Sequence, residues 1–263
     1  MALGNLRKMR TELGEDLIQY RLSLSNEVNM NDFIGKNIRI DWHGTINCQK
    51  CSKVTKKSFG EGFCYNCFVS APEAAECIIR PELCRAHLGE GRDPEWEQKH
   101  HNQPHVVYLA ASSAVKVGIT RRDQVPTRWI DQGASSAIVI AETSNRFEAG
   151  TIEVALKDFF TDKTHWQKML KNDIDESIDL VEEKWSLEEQ LPNDILEFFS
   201  EDDEILELNY PVNAYPQKVK SLSLDKTPIV SGVLEGIKGQ YLLFEGGQVF
   251  NVRKHTGYYV EIS

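Results

Sequence analysis

Apolar and polar residues change rhythm several times along this chain, and each rhythm predicts a different element. In HVVYLAASSAVKVGITRRDQVPTRWIDQGA, residues 105–134, an apolar run around Tyr108 turns through Ala111-Ser112-Ser113 into a second, β-branched run over 115–120. Two such runs joined by small residues predict a β-hairpin. Arg121 and Arg122 follow, then Pro126 where a first helical turn tolerates it. A short helix carrying Arg128 and Trp129 should end near Gly133. The stretch 136–141, SAIVIA, reads as a third strand. Asn145 and Glu148 have the form of a capping box, and the helix behind them sets Ala149, Ile152, Leu156, Phe159 and Phe160 on one stripe. Glu153 lies at the border of that stripe. A packed helix could aim its carboxylate into a cleft, or it could pair with Lys157 on the surface.

On either side the rhythm differs. Partial alternation predicts strands near 17–25 and 37–41, the second ending by Gly44. The stretch 162–166 reads as a turn, leading into a helical turn with Trp166, Met169 and Leu170. Between 171 and 207, Ile178, Val181, Trp185, Leu191, Ile195, Leu196, Phe198 and Phe199 recur at helical spacing, with a break near Pro192. The last part predicts strands over 219–224, 230–235, 240–244, 248–252 and 258–262, with glycines at the turns. These strands and the N-terminal ones together suggest a small barrel-like domain. The expected fold class is α+β, in five segments: 1–45, 46–104, 105–170, 171–207 and 208–263.

The cysteines add chemistry to this outline. Cys48 and Cys51, then Cys64 and Cys67, form two Cys-x-x-Cys pairs separated by twelve residues. Each pair makes a tight knuckle, and four thiolates suit tetrahedral Zn²⁺, so a zinc ribbon is expected here. With all four positions filled by protein, the ion would fold the module rather than catalyse. Lys53, Lys56, Lys57 and Phe59 could touch phosphate and base, or simply be solvated. Lys238, Tyr241, Arg253, Lys254, Tyr258 and Tyr259 near the C-terminus offer the basic and aromatic mixture of a nucleic-acid surface, or the aromatics belong to the core of the barrel-like domain. Cys77 and Cys84, with His87, His100, His101 and His105, allow a second Cys₂His₂ zinc. The set Cys77, Cys84, His101 and His105 is favoured, although spacing cannot choose among the histidines. The polar stretch between Cys84 and His100 is expected to be a loop.

The net charge of −10 taken alone argues against nucleic acid, but its distribution matters more. Residues 171–207 hold 15 acidic residues against Lys171 and Lys184, and the rest of the chain holds 28 basic against 25 acidic. An acidic surface in one segment leaves room for a basic face elsewhere. No apolar run approaches the roughly 18 residues of a membrane span, and no secretory leader is recognisable. The expectation is a soluble cytoplasmic protein.

The order strand, turn, strand, helix resembles the GIY-YIG nuclease core. Tyr108 matches the tyrosine of its first motif, with Val106-Val107 in place of Gly-Ile. Lys116-Val117-Gly118 falls on the second motif, with lysine replacing tyrosine, and Lys-Val-Gly-Ile-Thr looks like divergent branches of that superfamily. Arg128 and Glu153 match the helix arginine and the metal-holding acid. Over its whole length the chain also resembles the bacterial DUF2797 family, which joins a zinc ribbon to such a core.

The resemblance implies divalent-metal-dependent phosphodiester hydrolysis. Glu153 would hold Mg²⁺ or Mn²⁺, Arg128 would clamp phosphate, and Tyr108 would orient or deprotonate water. Lys116 would act as a base if its pKa were lowered, and otherwise as a phosphate contact. A second reading keeps the scaffold as a zinc-containing DNA- or RNA-binding protein, with Arg121, Arg122 and Arg128 on the phosphates. A third makes it an interaction scaffold.

Overall fold

A computed structural model describes residues 1–160, 165–187 and 190–263. Of the turn expected over 162–166, residues 162–164 lie outside the described residues. In chain order come strands β1 Ala2–Asn5, β2 Arg10–Glu12, β3 Gln19–Ser23, β4 Glu27–Asn29 and β5 Asn37–Ile46, then helices α1 Tyr65–Ser70 and α2 Pro94–His101. Next are β6 His105–Ala111, β7 Val115–Arg121, α3 Thr127–Gln132, β8 Ser136–Thr143 and α4 Arg146–Leu156. Then follow α5 Trp166–Lys171, α6 Leu180–Ser186, α7 Asn193–Leu196 and β9 Ile205–Glu207. The chain ends with β10 Lys220–Leu222, β11 Ile229–Lys238, β12 Tyr241–Phe244, β13 Gln248–Asn251 and β14 Tyr258–Ile262. The architecture is mixed α and β. No helix among the described residues is long and apolar enough to cross a membrane.

The chain divides into two compact units. Unit 1 holds Met1–Val69, Ile130–Gly133 and Asn209–Ser263, and unit 2 holds Ser70–Trp129 and Ala134–Leu208. In unit 1, seven strands form one sheet in the order β1-β14-β5-β11-β12-β13-β10. The expected barrel is therefore corrected: among the described residues the two outer strands do not meet, and the sheet stays open. Its inner positions alternate as burial on one face requires, with Ile38, Ile40, Val230, Val260 and Ile262 nearly closed to solvent. A separate three-stranded sheet, β2-β3-β4, carries the fully buried Tyr20 and Leu22.

Unit 2 is built on the sheet β7-β6-β8-β9. Strand β6 is buried along its whole length because β7 and β8 flank it on both edges. Val107, Leu109, Val117, Ile138 and Ile140 form one core with Ala149, Ile152 and Leu156 of α4. Leu180, Leu187, Leu191 and Ile195 of the acidic segment join the same core. That segment thus turns its apolar stripe inward and its carboxylates to solvent. Lys184, fully buried, donates to the backbone oxygen of Asp202 at 2.8 Å and to Asp203 at 2.9 Å.

The polar stretch expected as a loop contains α2. Asp93 caps it by accepting from Trp96 N at 3.1 Å, Pro94 opens it, and acids precede bases along it.

Candidate functional site

The loop after β5 folds around its cysteines. The Ser52 N–H donates to the oxygen of Cys48 and the Phe68 N–H to that of Cys64, both at 2.9 Å, so each pair is curled into a turn. Between the knuckles, Phe59 and Phe63 pair across a tight bend through Gly60, Glu61 and Gly62, all with positive φ. The four sulfurs of Cys48, Cys51, Cys64 and Cys67 lie within 4.8 Å of one another, with Cys51 and Cys64 at 3.9 Å. Zn–S bonds of 2.3 Å in a tetrahedron imply sulfur separations of about 3.8 Å. Burial pushes the Cys48 thiol up, but backbone hydrogen bonds at Cys51, Cys64 and Lys50 outweigh it and bring the pKa down to about 6. Burial and the neighbouring sulfurs push Cys67 up to about 12. One thiol sheds its proton while another keeps its own, so four thiolates together call for a cation between them. The donor set fits a metal such as zinc.

A second group lies in unit 2. Cys77 and Cys84 sit on a run of short 3₁₀ turns, and α2 delivers His101 to them. Their donor atoms lie within 4.8 Å of one another, with His101 Nδ1 at 3.6 Å from Cys84 Sγ and 4.0 Å from Cys77 Sγ. All three residues are buried. A hydrogen bond with Cys77 draws the Cys84 thiol down to about 4, against burial and with help from His101, and the same contact raises Cys77.

His105 lies outside this group. It is fully buried, its Nδ1 meets the backbone oxygen of Gln103 at 2.7 Å, and its Nε2 has no hydrogen-bond partner. Of the other histidines, His87 stacks on Phe147 and His100 meets the Arg121 guanidinium at 3.0 Å.

Helix α4 is fixed to this cysteine loop. Arg146 Nε donates to the oxygen of Cys77 and Nη2 to that of Ile78, each at 3.0 Å. One turn on, Gly150 lets the helix lie against Pro81 and Glu82, where a Cβ would stand 2.5 Å from the carbonyl carbon of Pro81. Glu153 continues the same face, its side chain 15% exposed and 3.9 Å from Lys157. Burial lowers the pKa of the Arg146 guanidinium, Cys77, Cys84 and Glu153 oppose that shift, and Arg128 adds to it. Arg128 and Glu153 are therefore each within electrostatic reach of Arg146.

Strand register places the other candidates differently. Tyr108 pairs directly with Gly118, and Ala110 with Lys116, so Tyr108 and Lys116 share a face. The opposite face is the one α4 covers. The register thus leaves Tyr108 and Lys116 across the sheet from α4, the helix that carries Glu153. Tyr108 is fully buried beside Trp129, with ring centroids 5.7 Å apart. A Cβ on Gly118 would lie 2.6 Å from its hydroxyl. Arg121 pairs with Asp123 at 3.4 Å and Arg122 with Glu142 at 2.6 Å. Arg128 is half-buried and makes no ion pair among the described residues. Sequence reasoning missed Arg146, which reads as an ordinary first-turn residue and matters only through the cysteine loop it holds.

No curated protein and no solved structure matches the chain. The family described as a protein of unknown function, DUF2797, matches residues 35–260, and the chain belongs to that family.

Proposed function

We propose that this chain is a nucleic-acid-binding protein whose unit 2 grips a phosphodiester backbone. The observation that carries the reading is Arg128, a half-buried guanidinium with no ion pair among the described residues, within electrostatic reach of Arg146. A planar guanidinium in that position suits a phosphate oxygen pair. The Cys₄ module would act as a zinc ribbon that stiffens the loop after β5. A second metal at Cys77, Cys84 and His101 would hold the loop on which α4 rests. His105 is the fourth donor proposed: its Nδ1 is engaged by a carbonyl and its Nε2 is unpartnered, and it would have to approach the trio, outside whose cluster it lies.

Phosphodiester hydrolysis is the second reading. The central strand order β7-β6-β8, the tyrosine against the motif glycine, and a largely buried Glu153 all favour it. Glu153 would hold Mg²⁺ or Mn²⁺, and Arg128 would orient the phosphate. Enclosure of Tyr108, and the placement of Tyr108 and Lys116 across the sheet from Glu153, weaken a GIY-YIG-like mechanism that needs all three at one phosphate.

Fluorescence anisotropy of labelled DNA and RNA strands tests the binding reading. Arg128→Ala should weaken binding about 10-fold and flatten its salt dependence, whereas Glu153→Gln should leave binding intact. Unchanged affinity of Arg128→Ala would refute this reading. Cleavage by the parent chain with Mg²⁺ or Mn²⁺, lost in Glu153→Gln, would establish the second.

A further inference from the structure

Unit 1 contains a cleft of about 480 Å³, lined by Lys56, Lys57, Ser58, Glu61, Asp225, Lys254 and Tyr258. Its walls come from the Cys₄ loop, from the turn after β10 that carries Asp225, and from the start of β14 with the turn before it, segments far apart in sequence. These walls are fastened together. Arg253 Nε donates to Glu61 at 2.6 Å, and Asn47 N donates to Gly257 O at 2.7 Å. Gly62 lies where a Cβ would meet the Thr256 side chain at 2.6 Å. Glu61 is held at φ 62, a conformation costly for a residue with a Cβ, and its ion pair opposes that cost.

The charges in the cleft are unbalanced by this arrangement. Glu61 is taken by Arg253, and Asp225 accepts from the Tyr258 hydroxyl at 2.7 Å and from Ser223 at 3.3 Å. Lys56, Lys57 and Lys254 are exposed, and none forms a salt bridge among the described residues. Lys57 lies over the Phe59 ring at 5.4 Å. Beneath them the Ser58 hydroxyl is buried with no hydrogen-bond partner. Three ammonium groups and an orphaned hydroxyl in one preformed cleft match a ligand with several phosphate oxygens. The volume falls in the range, about 300–1,000 Å³, that holds a small molecule rather than a lone ion.

We propose that this cleft is a phosphate-binding site, taking either a free polyphosphate or nucleotide or the backbone of a nucleic acid strand. It is independent of the unit 2 reading, because none of its residues belongs to that unit.

The test uses the full chain with its metal bound and two probes, inorganic tripolyphosphate by calorimetry and a short labelled single strand by anisotropy. The variant Lys56→Gln/Lys57→Gln/Lys254→Gln removes no buried apolar surface, so its metal content and circular dichroism should equal the parent's. It should bind at least one probe about 10-fold more weakly, with a salt slope for the strand reduced by about 2. Ser58→Ala should weaken the same probe less. Loss for both probes assigns the phosphate group itself, and loss for the strand alone assigns a nucleic acid backbone. Absence of binding by the parent, or undiminished binding by the triple variant, overturns the proposal. Arg128→Ala separates the two readings. If it binds the strand normally while the triple variant does not, the unit 2 reading fails and this site stands.

Discussion

Gly118 shows how much one side chain can depend on the absence of another. Gly118→Ala would drive a methyl into the Tyr108 hydroxyl, at a position buried against β6. The expected cost is about 1–3 kcal/mol, read as a lower midpoint in urea unfolding, and Tyr108→Phe in the same background should recover part of it. Lys238 supplies a pH-dependent case. It is buried beside the rings of Tyr210 and Tyr215, at 5.2 and 5.4 Å, and burial lowers its pKa to about 8. The folded chain then binds fewer protons here than the unfolded chain between pH 8 and the ordinary lysine value of about 10.4. Its penalty is complete below pH 8 and relieved as pH rises through that window. Parent and Lys238→Met stabilities should therefore converge from pH 7 to pH 10, by an amount on the order of 2 kcal/mol, and a constant difference would reject the assignment. At this scale the sequence was informative where the chemistry is local. Cys48, Cys51, Cys64 and Cys67 announce themselves by spacing because a knuckle closes within four residues. Lys238 gave no such sign, since its burial depends on tyrosines that other parts of the chain supply.

Among the elements, α4 and α2 behave oppositely. The sequence marked α4 through its cap and stripe, and the structure has Asn145 accepting from Glu148 N at 3.0 Å. For α2 no stripe exists, because Pro94 to His101 is polar nearly all round. The signals lay instead in Asp93-Pro94 and in the order of charges along the helix. Missing that helix is why spacing alone could not select His101 over its neighbours. Two tests belong here. If a second metal is bound, the parent should carry two ions per chain by mass spectrometry of the native protein, Cys67→Ser one fewer and His101→Ala one fewer, with distinct ions lost. Gly150→Ala should separate α4 from the Pro81–Glu82 backbone and speed hydrogen exchange in the first turns of the helix. Unaltered exchange would show that the helix does not depend on that contact.

For the whole molecule, periodicity forecast strands, helices and the β6–β7 hairpin, but not the strand order of the sheets. Alternation in the last part is equally compatible with an open sheet or a closed barrel, since closure depends on edges that meet only in three dimensions. Charge told more: the acidic excess lies in a segment whose apolar residues enter the unit 2 core, which leaves cations free to gather elsewhere. Stripping the metal from the Cys₄ site should expose the loop between Cys48 and Cys67 to protease before any strand of the large sheet is cut, because few buried side chains hold that loop otherwise.

The pairing of β5 has a consequence for how the chain is made. Its two neighbours, β11 and β14, lie roughly 200 residues later, so a ribosome delivers β5 long before either can bond to it. Unit 2 is encoded almost entirely inside that interval, and all its strand partners have emerged by β9. Unit 2 should therefore fold first during synthesis, while an unpaired, alternating β5 waits as an open strand edge. In a stalled nascent chain ending before β11, that waiting strand is the segment most exposed to chaperone capture and to misassembly with another copy.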